Sequence, residues 1–260
     1  MKTRLNGIAL VSAAAVFSFS HTASADYYVA GSYGLNSQGS SNNDGVFTSN
    51  FTTGAVTGVT PPLQIPSGSP VGWRTNFDNG DVYALAFGRK FGQLRVEFEY
   101  SQSDSDVDSH RGVTAAGLDL SGIDAGVLIS GNVGDLGVSV AGLVADGRGH
   151  IKTSGFQLNA LYDFDLGSAL TPFVGVGLGQ SKVDVTYIPS GVGVISDDDR
   201  VFSYQIVAGL EYALNNNLSL VGTARYRDGN DATVRSSLLP ASFDVQNTST
   251  VFDIGIRYTF

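Results

Sequence analysis

From Leu94 to Ser101 the chain alternates without a break. Leu94, Val96, Phe98 and Tyr100 fall on one side, and Arg95, Glu97, Glu99 and Ser101 on the other. The last residues do the same: Phe252, Ile254, Ile256, Tyr258 and Phe260 alternate with Asp253, Gly255, Arg257 and Thr259. A third run sets Phe202, Tyr204, Ile206, Ala208, Leu210 and Tyr212 against Ser203, Gln205, Gly209 and Glu211. Period two over this length is the mark of a β-strand with one apolar and one polar face. A chain built from such segments folds as a sheet that presents its two faces to two different media.

The front of the chain says which media. Lys2 and Arg4 precede an apolar stretch from Ile8 to Phe19, and Ala23-Ser24-Ala25 follows. This is the pattern of a secretory signal peptide over residues 1–25, with the mature chain starting at Asp26. No other run of about 18 apolar residues exists, so no transmembrane helix is expected. Yet 42% of the residues are hydrophobic, with 33 Gly, 11 Tyr and 15 Phe. Apolar content without apolar blocks in an exported chain predicts a membrane barrel, in which lipid-facing and lumen-facing residues alternate. Removing Lys2 and Arg4 with the leader takes the net charge from −9 to −11, which argues against a nucleic-acid partner. Zero cysteines exclude disulfides, thiol catalysis and Cys-bound metals. No cofactor is expected.

Eight strands can be drawn on the mature chain, near 26–35, 81–90, 93–102, 153–165, 171–186, 200–213, 218–228 and 249–260. Their connections alternate. Lys90 to Gln93, Leu166 to Leu170 and Leu214 to Asn217 are tight turns; 36–80, 103–152, 187–199 and 229–248 are long. Outer-membrane barrels have short periplasmic turns and long external loops, so both termini are expected in the periplasm and four loops outside. Two aromatic belts follow. Tyr27, Phe91, Phe164, Tyr212, Tyr258 and Phe260 fall at the inner rim, and Tyr33, Tyr83, Tyr100, Tyr187, Tyr226 and Phe252 at the outer rim. The apolar, Gly-rich segment from Ile123 to Val144 reads as a hairpin standing above the membrane; if it crossed, the barrel would have ten strands. The first loop, with Pro61, Pro62, Pro66 and Pro70 among small polar residues, reads as irregular and mobile. The fold class is all-β: an eight-stranded antiparallel up-and-down transmembrane β-barrel over 26–260.

Leu158-Asn-Ala-Leu-Tyr-Asp-Phe164, followed by Leu170-Thr-Pro-Phe-Val-Gly-Val-Gly-Leu-Gly179, resembles the strand-turn-strand hallmark of small porin-family surface proteins, the opacity-protein and OmpA-like barrels. The resemblance extends over 26–260 in strand order, and the second loop is longer than in the simpler members. It implies an outer-membrane location, with the terminal aromatics Tyr258 and Phe260 read by the barrel-assembly machinery. Its members include adhesins, surface antigens, envelope-stabilising proteins and small-solute channels. Cell-wall tethering as in full-length OmpA is not expected.

The alternation turns nine charges inward: Arg95, Glu97, Glu99, Asp163, Glu211, Arg225, Arg227, Asp253 and Arg257. Eight strands enclose only enough room for side chains, and charges in so narrow a space must pair. A plug of ion pairs is the expected arrangement, and a gated ion path lined by the same groups is its rival. His110 and His150 flank the second loop without a recognisable catalytic spacing, which reads as solvated and non-enzymatic, although Asp146 and Ser154 lie near His150. Two acidic runs, Asp104, Asp106, Asp108 and Asp197 to Asp199, have oxygen ligands for Ca²⁺ but lack the Gly and Glu offsets of an EF-hand loop. They read as solvated acids able to bridge lipopolysaccharide. Apolar loop residues, Phe47, Phe51, Leu63, Ile65, Trp73 and Gly191 to Ile195, either form a contact surface or pack the loops together. The functional reading is a non-enzymatic surface protein whose barrel anchors loops for adhesion, surface contact or envelope integrity. Its expected partners are outer-membrane lipid, lipopolysaccharide, the assembly machinery and a host or surface ligand. The alternative is a passive channel for small or hydrophobic solutes, with a lateral opening among Ala84, Ala86, Gly88, Gly175, Gly177 and Gly179.

Overall fold

The computed structural model describes residues 26–260. The leader expected over 1–25 lies outside the described residues. Eight strands form the wall: β1 (Asp26–Gln38), β2 (Gly80–Phe91), β3 (Leu94–Ala115), β4 (Gly149–Asp163), β5 (Leu170–Tyr187), β6 (Ile195–Ala213), β7 (Leu218–Gly229) and β8 (Ser249–Thr259). Each pairs antiparallel with the next, and β8 pairs with β1 from Tyr28↔Thr259 to Gln38↔Ser249. The wall therefore closes and leaves no free edge.

The register fixes the barrel's shape. Stepping straight across the rungs from Asp26 leads to Lys90, Arg95, Leu161, Gly175, Val207, Arg225 and Val251, and returns to β1 at Asn36, ten residues along. A stagger of ten over eight strands corresponds to a tilt of about 40°. The enclosed space is just wide enough for side chains.

β3, β5 and β6 are 22, 18 and 19 residues long, about twice the length needed to cross a bilayer. Their amphipathy inverts part-way. In the lower half of β3, Leu94, Val96 and Phe98 are exposed while Arg95, Glu97 and Glu99 are buried; in the upper half Asp104, Asp106 and Asp108 face out while Val107, Val113 and Ala115 are buried. On β5, exposed Val174, Val176 and Leu178 give way to buried Val183, Val185 and Tyr187. The lower half suits lipid outside and polar groups inside; the upper half has the ordinary pattern of a water-soluble sheet.

The upper halves form a second ring. Segments Ser41–Phe47, Pro70–Phe77, Ala232–Arg235 and Ala241–Val245 are strands. They continue the sheet from the upper part of β3 through Pro70–Phe77, Ser41–Phe47 and Ala241–Val245 to Ala232–Arg235. That last strand meets the start of β6 through the bridge Ile195↔Ser236. The Asp197 and Asp199 carboxylates accept from the backbone N–H groups of Arg235 and Thr233, both at 2.9 Å. The acidic run expected to be solvated is thus partly a seam, with Asp198 paired to Lys182 at 3.3 Å.

Three further expectations are corrected. The first loop is not irregular throughout, because two of its segments are ring strands. Ile123 to Val144 is neither a hairpin nor a crossing: it holds a 3-10 turn at Ala125–Leu128 and a short helix, α1 (Val140–Val144). The Asp124 carboxylate pins it by accepting from the N–H groups of Gly126, Leu136 and Gly137, and Val127, Val140 and Val144 are buried in the lobe core. Tyr187 is not on the outer aromatic belt but fully buried inside the lobe.

Candidate functional site

The barrel lumen is filled in layers. At the short-turn end, Arg95 lies 2.7 Å from Asp163 and 3.5 Å from Glu211, Lys90 lies 3.1 Å from Asp163, and Arg257 bonds Glu211. The Arg95 and Arg257 guanidinium groups also lie over the rings of Phe173 and Tyr28, 4.5 and 4.6 Å from the ring centres. Above them comes a small apolar layer of Leu161, Phe173, Val207 and Val221.

A second charged layer follows. Glu99 takes Arg227 at 3.0 Å and Arg225 at 3.5 Å, and Arg225 also meets Asp253 at 3.3 Å. Glu97 joins the layers, accepting from the Tyr28 hydroxyl and from Asn159, both at 3.0 Å. All nine inward charges named from the sequence lie in these two layers. A void bounded by Glu97, Glu99, Arg225, Asp253 and Arg257 is about 40 Å³, room for a water or two.

Small wall residues accommodate this filling. A Cβ on Gly88 would collide with the Tyr28 ring, one on Gly209 with Phe173, and one on Gly175 with Leu161. The wall is paired along all of them, and no lateral gap opens at Ala84, Ala86, Gly88, Gly175, Gly177 or Gly179. Tyr258 faces outward and stacks on Phe260 with ring centres 6.3 Å apart, and the Phe260 N–H reaches the Tyr27 carbonyl at 2.9 Å.

The upper ring encloses the opposite chemistry. Its core holds Phe47, Phe51, Val71, Tyr187, Ile195, Val234 and Phe243, among others, so the loop residues Phe47, Phe51 and Ile65 pack the loops together and do not form an exposed patch. Inside lies an apolar cavity of about 250 Å³. Trp73, His110, Val113, Val127, Tyr187 and Leu239 line its depth, and the exposed Leu63, Gln64, Ala116 and Leu118 stand at its rim.

His110 is not solvated. A bulge at Asp108 shifts the register between Asn76↔Ser109 and Phe77↔Val107, so Ser109 and His110 are both buried. Bulges commonly re-aim a side chain in this way. Burial lowers the His110 pKa to about 4. Its Nδ1 lies 2.9 Å from the Thr75 hydroxyl, which already accepts from Asn43 and Trp73. That leaves Thr75 no lone pair for attack and gives no nucleophile–base–acid series. His150 is half-buried at the start of β4, opposite Asp106. Asp104 pairs with Lys152 at 3.2 Å, and no cluster of three metal-ligating side chains occurs among the described residues.

Residues 7–260 match the family model described as the outer membrane protein beta-barrel domain. The chain belongs to the outer membrane protein β-barrel family. Among its relatives, outer membrane protein PagN of Salmonella typhimurium is 24% identical over 124 residues, 44% of this chain and 52% of that protein. An outer membrane protein of Gluconacetobacter diazotrophicus is 36% identical over 89 residues, 30% of this chain and 24% of that one. The chain thus spans about half the length of the first relative and about a quarter of the second. The crystal structure of OprG from Pseudomonas aeruginosa shares the fold, with a TM-score of 0.51, 16% identity, and coverage of 91% of this chain and 96% of that one. As a member of this family the protein resides in the outer membrane, crossing it with strands. Both described chain ends lie at the short-turn end, the periplasmic side in such barrels.

In this outer-membrane barrel the interior charges were readable from alternation alone. The cavity residues His110, Trp73 and Tyr187 were not brought together by that reading. A signal for them exists: the apolar residues of β5 move from even positions (Val174 to Leu178) to odd ones (Val183 to Tyr187). Such a phase change marks the height at which lipid outside is replaced by an apolar core inside.

Proposed function

We propose that this protein is a non-enzymatic, non-conducting outer-membrane anchor that holds a folded lobe at the cell surface for contact with a host, a neighbouring cell or the environment. One observation carries the reading: two ion-paired layers and an apolar layer fill the lumen directly beneath a lobe with its own core. Five lumenal cations, counting Lys90, face five carboxylates. Such pairing favours a fixed plug over a path with free carriers, because removing a partner strands a charge in a low-dielectric space. Outer-membrane lipid surrounds the apolar band, lipopolysaccharide meets the acidic outer face of the lobe through divalent ions, and the Tyr258–Phe260 pair on the closing strand is assigned to the barrel-assembly machinery.

Single-channel recording of the refolded mature chain, residues 26–260, in a planar lipid bilayer tests this. The expected record is flat under applied voltage from protein shown by circular dichroism to be folded. Discrete, reproducible conductance steps would overturn the anchor reading in favour of transport.

A further inference from the structure

Where β4, β5 and β6 leave the lipid band, their outward faces change character in a fixed order. One rung carries Phe156, Gln180 and Phe202, with both rings exposed. The next outward rung carries Ser154, Lys182 and Arg200, and the one above it Lys152, Asp184 and Asp198. Two residues of strand rise about 7 Å, and the headgroup zone beside the hydrocarbon is roughly 5–7 Å deep. Lys182 and Arg200 thus stand among the headgroups of the outer leaflet. The rest of the rim differs. On β2 and β7 the outward charges near this level are Asp81 and Asp228, which accept from the hydroxyls of Tyr33 at 2.7 Å and Tyr204 at 2.9 Å. Among the described residues, the outward cations of this level all lie on β4, β5 and β6.

Like charges directly opposite one another on paired strands destabilise a sheet. Here Lys182 faces Arg200, and Asp184 faces Asp198. The acidic pair is relieved within the chain, because the Lys182 ammonium reaches Asp184 at 2.5 Å and Asp198 at 3.3 Å. Lys152 turns to Asp104 at 3.2 Å. Arg200 has no such relief. Its backbone N–H bonds Asp199 at 2.7 Å, but its exposed guanidinium makes no ion pair or hydrogen bond among the described residues. A planar, permanently charged fork of donors matches a phosphate bidentately.

We propose that the outward face of β4, β5 and β6 binds the phosphorylated sugar headgroup of one lipopolysaccharide molecule. A lipid A phosphate sits on Arg200 and Lys182, acyl chains lie against Phe156 and Phe202, and sugar hydroxyls donate to Asp184 and Asp198. The order of the lipid, from acyl chain through phosphate to sugar, matches the order aromatic, cation, carboxylate along the strands. A phospholipid without a sugar meets only the first two. The site rests on the outward orientation and lipopolysaccharide contact of the anchor reading. It adds a direct contact at the rim, below the divalent-bridged one on the lobe.

The mature chain, residues 26–260, refolded in detergent, would be titrated in EDTA with diphosphoryl lipid A, its dephosphorylated form and phosphatidylglycerol, and bound lipid counted by native mass spectrometry. The expected result is one diphosphoryl lipid A per chain, held about tenfold more tightly than either of the others. Arg200→Gln should remove most of that preference without disturbing the fold, since the side chain has no partner to lose. Arg74→Gln, at an exposed arginine of the upper ring, should change nothing. Phosphatidylglycerol binding as tightly as lipid A, or Arg200→Gln binding lipid A like the wild type, would overturn the site. Binding that needs Ca²⁺ in place of EDTA and survives Arg200→Gln would also overturn it, while leaving the divalent contact of the anchor reading intact. No lipid A bound in either condition would overturn both.

Discussion

At the scale of single residues, the lumen rests on a few arginines with several partners each. Arg95 is 1% exposed and shares Asp163 and Glu211 with Lys90 and Arg257. Truncating either arginine leaves a buried carboxylate short of a partner, a loss of about 3–5 kcal/mol for a fully buried pair. Arg95→Ala and Arg257→Ala should therefore both lower the unfolding temperature in detergent or lipid, Arg95→Ala by more, since Asp163 and Glu211 both lose contact. Unchanged thermal unfolding of both variants would show that the plug does not hold the barrel. These residues were legible because period two fixes the side on which each lies. Their pairing was not, because it depends on the ten-residue stagger between β1 and its return, which alternation does not encode.

Elements show where reading by alternation stops. All eight wall strands were legible at the ends toward the short turns, since each has an apolar stripe of membrane length, but not at their upper ends: β3 was expected to stop near 102 and runs to Ala115. The upper ring was not, because its strands carry weaker stripes separated by Gly and Pro, and Ser41–Phe47 meets Ala241–Val245 across some two hundred residues. The seam is the element most open to test. Asp197 and Asp199 supply the acceptors that a backbone ladder would otherwise provide to Ala232–Arg235. Each such bond to a partly exposed carboxylate contributes about 1 kcal/mol. The double variant D197A/D199A should expose the segment 232–245 to protease several-fold faster while leaving the barrel band intact, as followed by limited proteolysis and gel mobility. Asn at both positions, which keeps an acceptor oxygen, should restore most of the protection.

The whole molecule is two closed rings with interiors of opposite character, charged below and apolar above, and acid should act on them differently. His110 is held neutral by burial, its pKa lowered from 6.5 to about 4, with nearby Asp146 opposing the shift. A group depressed in this way takes up protons in the unfolded state first. Its contribution is complete above about pH 6.5 and drains away as pH falls toward 4, about 3 kcal/mol in all. The near-ultraviolet signal of Trp73 should melt at progressively lower temperature from pH 6.5 to 4.5, and His110→Gln should flatten that dependence. An equally steep decline in the variant would place the acid sensitivity elsewhere.

β3 passes from the lower ring into the upper one as a single 22-residue strand, bulged at Asp108 and at most about 70 Å long, and β5 and β6 are likewise continuous. The lobe is therefore welded to its base and not tethered by flexible linkers. A pull on it travels along the strand axes and loads many rungs of the ladder side by side, instead of peeling them one at a time. In the proposed anchoring role the molecule would act as a mooring post, taking traction on the lobe without changing the angle at which its mouth faces outward.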